Sequence, residues 1–193
     1  MVCAALEGDA IRPTDVRPNE VPMGLFRRDT HEEPHGVRYM MKERLIAIGD
    51  DYWIEGPDGQ KAFKVNGKAL RVRDTWVLED PTGREVATIK ERKLSIRDTI
   101  TIDLGGRKAT VKKAMIGIRE RYHVEVDHGR DLKVHGNIVD HEYEIEIDDG
   151  PKVGEVSKKW FRVRDSYGVD VLDPELTVLV LSVAVAVDSM SHD

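Results

Sequence analysis

Residues 173–187 read DPELTVLVLSVAVAV, and the twelve residues 176–187 within this stretch carry no charge. The rest of the chain is dense with charge, since Asp, Glu, Lys and Arg make up 34% of all residues. A segment that is apolar on every side must be enclosed on every side. As a helix, the uncharged stretch would span about 18 Å, which is well short of the ~30 Å hydrocarbon core of a membrane. It is therefore predicted to be a buried core element and not a transmembrane segment.

The start of this stretch has the residues of a helix N-terminus. Asp173 can accept a hydrogen bond as the N-cap, Pro174 suits the first helical position, and Glu175 interacts favourably with the positive end of the helix dipole. The Ser and Ala residues further along allow close packing against neighbours. The sequence thus predicts a helix over about residues 174–189. The alternative is a buried strand, because the many β-branched valines disfavour a helix slightly.

Upstream of this helix, one pattern of alternating strand, glycine-containing turn and second alternating strand occurs five times between residues 52 and 157. A glycine after Asp or Asn supplies the positive φ that tight hairpin turns require. Alternation of polar and apolar residues directs one face of a strand to the core and the other to water. The predicted hairpin strands are 52–55 with 61–65, 75–78 with 85–90, 99–104 with 107–113, 122–127 with 131–135, and 143–147 with 152–157.

Residues 38–45 before the hairpins and 167–172 after them bring the total to about twelve strands. So many antiparallel strands in one domain must close or stack, because open sheet edges promote aggregation. A barrel of about eleven strands is already wide enough to enclose a helix. The predicted fold is therefore mainly β, a closed antiparallel barrel of about 12 strands around the buried C-terminal hydrophobic helix. A β-sandwich with the C-terminal stretch as a central strand remains the alternative.

The bulk properties of the chain restrict its domain organisation and its partners. A length of 193 residues fits a single domain, and we assign residues 37–193 to it. Residues 1–36 carry four prolines, scattered charge and no periodicity, so we predict a disordered tail, with Met23 as an alternative start. A net charge of −6 argues against nucleic-acid binding. The single cysteine, Cys3, and the lack of a signal-peptide pattern predict a cytoplasmic protein.

Several segments of the chain resemble the LURP-one-related family. They are RYMMKERL at 38–45, IGDDYWI at 48–54, DTWVLED at 74–80, EVATIK at 85–90 and WFRVRDSYGVDV at 160–171. The resemblance extends over about residues 38–193 and implies the tubby C-terminal fold, a barrel around a hydrophobic helix that is also proposed for phospholipid scramblases. Tubby domains bind phosphoinositides through basic side chains, and scramblase relatives associate with membranes. The resemblance therefore implies lipid binding as an expectation, without assigning any individual residue to it.

Three basic clusters are the candidate site for an anionic partner such as a phospholipid headgroup, because Lys and Arg pair well with phosphate. The alternative is that these residues solvate a barrel exterior that is also rich in acids, since each cluster has carboxylates beside it. The candidate residues are Lys90, Arg92 and Lys93, then Lys112 and Lys113, and finally Lys158, Lys159, Arg162 and Arg164.

Four histidines (His123, His128, His135 and His141) fall within two neighbouring hairpins, and a metal site is one interpretation of them. Of these, His123 and His135 could meet with Glu125 on one outer face. These four histidines form no HExxH motif and have no cysteine partner or short paired spacing, so we interpret them as solvated strand residues and predict no metal and no cofactor. The GxSxG and Walker motifs are also absent, and no catalytic residue is assigned.

These features lead to one functional hypothesis and two alternatives. We predict a non-enzymatic binding or scaffold module that acts through the barrel exterior, because a helix in the lumen occupies the space where barrels hold ligands. Its partner would be a protein or an anionic lipid headgroup. The first alternative is a peripheral membrane protein that binds anionic phospholipid or phosphoinositide headgroups. The second is an enzyme of unknown chemistry.

Overall fold

Twelve strands and one long helix make up the part of the chain that this computed structural model describes, which is residues 36–42, 51–67, 75–92, 99–116, 119–160 and 166–191. The predicted N-terminal tail, apart from Gly36, lies outside the described residues. The strands are β1 (Val37–Lys42), β2 (Tyr52–Glu55), β3 (Lys61–Gly67), β4 (Thr75–Glu79), β5 (Glu85–Glu91), β6 (Thr99–Asp103), β7 (Lys108–Ile116), β8 (Arg119–Val126), β9 (Leu132–Asn137), β10 (Glu142–Ile147), β11 (Lys152–Ser157) and β12 (Ser166–Val171).

The strands form one closed antiparallel barrel in sequential order. Each strand pairs with the next along the chain, and β1 closes the ring by pairing with both β2 and β12. The β1–β12 register runs from Val37 opposite Val171 to Lys42 opposite Ser166. Closure of this kind removes exposed sheet edges. The predicted barrel is therefore confirmed, and the β-sandwich alternative is wrong.

The polar–apolar alternation of the sequence places one face of each strand toward the lumen. In β10, with the sequence EYEIEI, the side chains of Tyr143 and Ile145 are buried, whereas Glu144 lies on the outer face. The hairpin turns contain the glycines that the sequence predicts, and Gly59 and Gly83 adopt φ values of 72° and 83°. A residue with a Cβ is strained in this region of φ, which explains the glycine at these two turns. In the β8–β9 and β10–β11 turns the prediction is wrong, because the positive φ falls on the residue before the glycine, His128 or Asp149.

The apolar C-terminal stretch forms helix α1 (Thr177–Ser191), which is preceded by a 3-10 turn, Pro174–Leu176. The side chain of Asp173 accepts a hydrogen bond from the backbone N–H of Glu175 at 3.0 Å, as predicted for the N-cap. The α-helix itself begins three residues later than predicted. The difference arises because the first turn is tightened by a hydrogen bond from the N–H of Leu176 to the carbonyl of Asp173.

Helix α1 occupies the lumen of the barrel and is buried on every side. All of its residues from Leu179 to Met190 are buried. A Cβ at Gly154 of β11 would lie 2.8 Å from Cγ1 of Val180, so the glycine permits the close approach of the helix to the wall. Among the described residues, Pro174–Ser191 is the one helical segment long and apolar enough to cross a membrane, with a mean hydropathy of 1.5, and 67% of it is buried within the protein.

The strand directions give the barrel two distinct ends. At the first, which we call the turn end, tight turns connect β2 to β3, β4 to β5, β6 to β7, β8 to β9 and β10 to β11. Strand β12 also finishes there and leads into α1, so the helix runs toward the opposite end, which we call the exit end. A contact between Asp188 of α1 and His141, in the β9–β10 connection, places the C-terminal part of the helix at the exit end. All odd-numbered strands therefore finish at the exit end.

Candidate functional site

Basic residues that lie far apart in the sequence are found at the exit end, in two groups on opposite sides of the ring of strands. Lys90 and Arg92 lie where β5 finishes, and the backbone N–H of Arg92 donates to the carbonyl of Thr99 at 2.9 Å. Thr99 is in turn paired with Lys112 of β7. The short 3-10 turn Lys158–Trp160 follows directly on β11. Because β5, β7 and β11 run in the same direction, their basic residues reach the same end of the barrel.

The candidate residues Lys112 and Lys113 do not share one face of the sheet. Side chains alternate between the two faces of a strand, and Lys113 is in phase with Ala109 and Val111, which are buried in the core. Lys113 is also paired with the buried Tyr122 of β8. Only Lys112 of this pair therefore belongs to the outer surface. The candidates Lys93, Arg162 and Arg164 lie outside the described residues.

Two of the basic residues have carboxylate partners, which come from neighbouring strands and not from adjacent positions in the sequence. The ammonium of Lys112 lies 2.5 Å from Glu125, and that of Lys159 lies 3.0 Å from Glu142. Lys90 and Arg92 are exposed and form no ion pair with another described residue. These two residues are therefore available to an external anion, whereas Lys112 and Lys159 are partly neutralised.

Glu142 holds the end of β11 and the basic 3-10 turn together. Its carboxylate accepts hydrogen bonds from the hydroxyl of Ser157 at 2.9 Å, from the backbone N–H of Lys158 at 3.2 Å and from the ammonium of Lys159 at 3.0 Å. Burial disfavours the ionised carboxylate, but the hydrogen bonds from Lys159 and Ser157 outweigh this effect. They hold the pKa of Glu142 below its ordinary value.

A Glu142→Gln variant should therefore lose stability in a pH-dependent manner. A carboxylate with a depressed folded-state pKa stabilises the protein above its unfolded-state pKa, and this contribution disappears as the pH falls through the folded-state value. We expect the variant to be less stable than the wild type at about pH 6 and to approach it at about pH 3. Urea unfolding at both pH values measures the difference. A deficit of equal size at both would contradict the assigned role of the charge.

A buried polar cluster lies in the lumen beneath the exit end, and the sequence analysis missed it. Nε2 of His141 lies 2.6 Å from Oδ1 of Asp188, and the two side chains are only 2% and 0% exposed. The His141 ring also packs on Tyr167, with 4.4 Å between the ring centroids. The interpretation of His141 as a solvated strand residue is therefore wrong. The pair ties helix α1 to the connection between β9 and β10.

The charge of Asp188 affects the tyrosines that surround it. Burial, and then the negative charge of Asp188, raises the pKa of Tyr52 well above its ordinary value. The same two causes, in the same order, raise the pKa of Tyr143, with a further contribution from Tyr122. Both hydroxyls thus stay protonated. The only sequence signals for this cluster were the position of Asp188 directly after the uncharged stretch and the turn location of His141, and neither shows that the two residues meet.

The outer face of β9 and β10 carries a second cluster, which differs from the histidine grouping considered in the sequence analysis. His135 is paired with Glu144 across the two strands, and its Nε2 lies 2.9 Å from Oε2 of Glu146. His123 is paired with Lys133 instead and lies 3.6 Å from Asp131. The grouping of His123, Glu125 and His135 that the sequence analysis considered as a metal site is therefore not observed. The register of β10 brings two other carboxylates to His135.

A closed antiparallel barrel with an apolar helix in its lumen defines the class of the protein as tubby C-terminal-like. The family model described as LURP-one-related matches residues 37–188. The chain therefore belongs to the LURP-one-related family, which confirms the resemblance seen in the sequence.

Comparison with solved structures supports the same fold. The X-ray structure of a protein from Arabidopsis thaliana is similar, with a TM-score of 0.53 and 15% sequence identity. The match covers 82% of this chain and 93% of that chain. At this level of identity, the similarity shows the fold alone. None of the curated proteins has a sequence that matches this chain significantly.

Proposed function

We propose that this protein is a non-enzymatic binding module that acts through the outer surface of its barrel. The observation that carries the proposal is the filled lumen, in which helix residues from Leu179 to Met190 are buried. A small barrel usually holds a ligand in its interior, and here the helix takes that volume. Membership of the LURP-one-related family is compatible with such a module.

The buried His141–Asp188 pair supports a structural and not a catalytic role for the interior. General acid–base catalysis requires a side chain within hydrogen-bond reach of the substrate proton. Both side chains are almost completely enclosed by the barrel and the helix. The interaction instead joins α1 to the wall, so the surface is left as the location of function.

We further propose that the exit end binds anionic phospholipid headgroups at the cytoplasmic face of a membrane. The exposed residues Lys90 and Arg92 lie next to the pairing partner of Lys112, and the turn Lys158–Trp160 adds two more lysines at the same end. Basic residues near an anionic membrane surface each contribute about 1 kcal/mol of binding free energy. An acidic protein partner is the other anionic surface that this end could recognise.

Vesicle flotation tests the lipid proposal. Wild-type protein should float with vesicles of phosphatidylcholine that contain a phosphoinositide or phosphatidylserine, and binding should fall steeply as salt is added. The double variant Lys90→Glu, Arg92→Glu should weaken binding by at least about 30-fold, which corresponds to about 1 kcal/mol for each basic residue removed. A Lys158→Glu, Lys159→Glu variant should also weaken it.

The turn end supplies a matched control for this experiment. Arg107 precedes β7 and Lys108 is its first residue, and both are exposed. The double variant Arg107→Glu, Lys108→Glu therefore changes the net charge by the same amount as Lys90→Glu, Arg92→Glu, but at the opposite end of the barrel. We expect this control to bind vesicles like the wild type. No flotation with any anionic vesicle would exclude the lipid proposal and leave a protein partner. Equal losses in both double variants would show a response to net charge alone.

A further inference from the structure

We propose that the outer face of β9 and β10 binds a divalent transition metal, with Zn²⁺ as the best match, through His135, Glu144 and Glu146. One donor atom from each of these side chains lies within 4.8 Å of the other two. Nε2 of His135 lies 2.9 Å from Oε2 of Glu146. This inference is independent of the proposed lipid binding, because none of the three residues belongs to the basic clusters.

The strand register holds the three donors on one side of the sheet. His135 and Glu144 are direct cross-strand partners, and Glu146 lies two residues further along β10 on the same face. Val134, which precedes His135, and Ile145, which lies between Glu144 and Glu146, are both buried in the core. Because side chains alternate between the two faces of a strand, the three donors point outward. Donors on paired strands are positioned more precisely than donors on loops.

The chemistry of the donor set favours zinc over magnesium or calcium. Imidazole nitrogen and carboxylate oxygen both bind Zn²⁺ at about 2.0–2.2 Å, and three protein donors with water in the fourth position are a common arrangement. Tetrahedral donors at this distance would be about 3.4 Å apart. The 2.9 Å contact between His135 and Glu146 therefore has to widen slightly, and any separation that approaches the 4.8 Å limit has to shorten. Mg²⁺ and Ca²⁺ prefer oxygen ligands and gain little from the imidazole.

An ion and its water ligands can reach this position from solvent. The side chains of His135, Glu144 and Glu146 are 39%, 40% and 34% exposed. A groove of about 260 Å³ lies beside them, and its lining includes His135, Glu144, Glu142 and Glu155. The additional carboxylates of the groove, Glu142 and Glu155, are already paired with Lys159 and Lys152, so the three donors themselves must hold the cation.

The ammonium of Lys152 would compete with a metal ion for the carboxylate of Glu144. This ammonium lies 2.7 Å from Glu155 and 3.3 Å from Glu144. A metal ion that takes Glu144 as a ligand must displace this longer contact. Removal of the Lys152 charge should therefore strengthen metal binding. If Lys152 only formed surface ion pairs with Glu144 and Glu155 and no metal bound here, its removal would not change the affinity for a metal ion.

Isothermal titration of chelator-treated full-length protein with zinc chloride tests the proposal. We expect a site for Zn²⁺ that Mg²⁺ does not occupy. His135→Gln should lower the affinity for Zn²⁺ by at least about tenfold, because loss of a supporting contact alone costs that much in known sites. Lys152→Gln should raise the affinity several-fold.

His123→Gln is the matched control, since His123 lies on the adjacent strand β8 and is similarly exposed. We expect its zinc affinity to equal that of the wild type. The unfolding midpoint in the presence of chelator should be the same for both histidine variants, which separates metal binding from folding. Equal zinc affinity in the wild type and His135→Gln, or weaker binding in Lys152→Gln, would overturn the proposal. Vesicle flotation should be unchanged in His135→Gln, so the two proposals can fail separately.

Discussion

A Val183→Asp variant is expected not to fold. Val183 is 0% exposed at the centre of α1 and is enclosed by the barrel wall. An unpaired carboxylate at this position would carry a penalty of several kcal/mol, and the total stability of a domain is only about 5–15 kcal/mol. Leu179→Asp should have the same effect, because Leu179 is also buried in the core.

The same chemical change at an exposed valine provides the control. Val139 lies in the β9–β10 connection and is 68% exposed, so Val139→Asp should unfold at nearly the same urea concentration as the wild type. Soluble yield, near-ultraviolet circular dichroism and urea unfolding measure the outcome. If Val183→Asp gave a soluble protein with a cooperative, wild-type-like transition, α1 would not be enclosed by the barrel.

The second large effect is expected from Asp188→Ala, which should lower the free energy of unfolding by about 3–5 kcal/mol. Removal of one partner from a buried, hydrogen-bonded pair takes this hydrogen bond from the other, which stays buried, and His141 is itself enclosed in the core. His141→Ala should produce a loss of similar size, because it leaves the carboxylate of Asp188 buried. The double variant should lose less than the sum of the two single losses.

A surface pair shows how much of this effect depends on burial. Lys112 and Glu125 lie 2.5 Å apart, close to the 2.6 Å that separates His141 and Asp188, but both side chains are well exposed to solvent. Lys112→Ala should therefore cost no more than about 1 kcal/mol. Urea unfolding of all four variants tests the comparison. A similar loss for Asp188→Ala and Lys112→Ala would show that the buried pair contributes no more than a surface contact.

These effects divide the molecule into an interior that maintains the fold and an exterior that is free to bind. The Val183→Asp and Leu179→Asp variants should lose all binding because the barrel does not fold. The exterior variants at Lys90 and His135 should each change one binding reaction without changing stability, since both side chains are at least partly exposed. This separation is what a binding module with a filled lumen requires.

The architecture could be predicted because its causes are local in the sequence. Period-two alternation, as in residues 142–147, fixes which side chains of a strand face the core. Glycines such as Gly59 mark the turns, because few other residues adopt a positive φ without strain. Asp173 and the uncharged stretch after it indicate both the start of a helix and its enclosure. The number of strands then made closure around that helix the consistent solution.

The groups that could perform a function depend on contacts between residues that are distant in the sequence. His135 meets Glu144 and Glu146 because of the β9–β10 register, and a shift of one residue would have turned these side chains to the other face. His141 meets Asp188 only because the helix extends through the lumen to the β9–β10 connection. The sequence alone therefore determined the barrel and its enclosed helix. Only the tertiary structure decided which charged groups become neighbours, since that follows from strand register and the path of the helix and not from any local pattern.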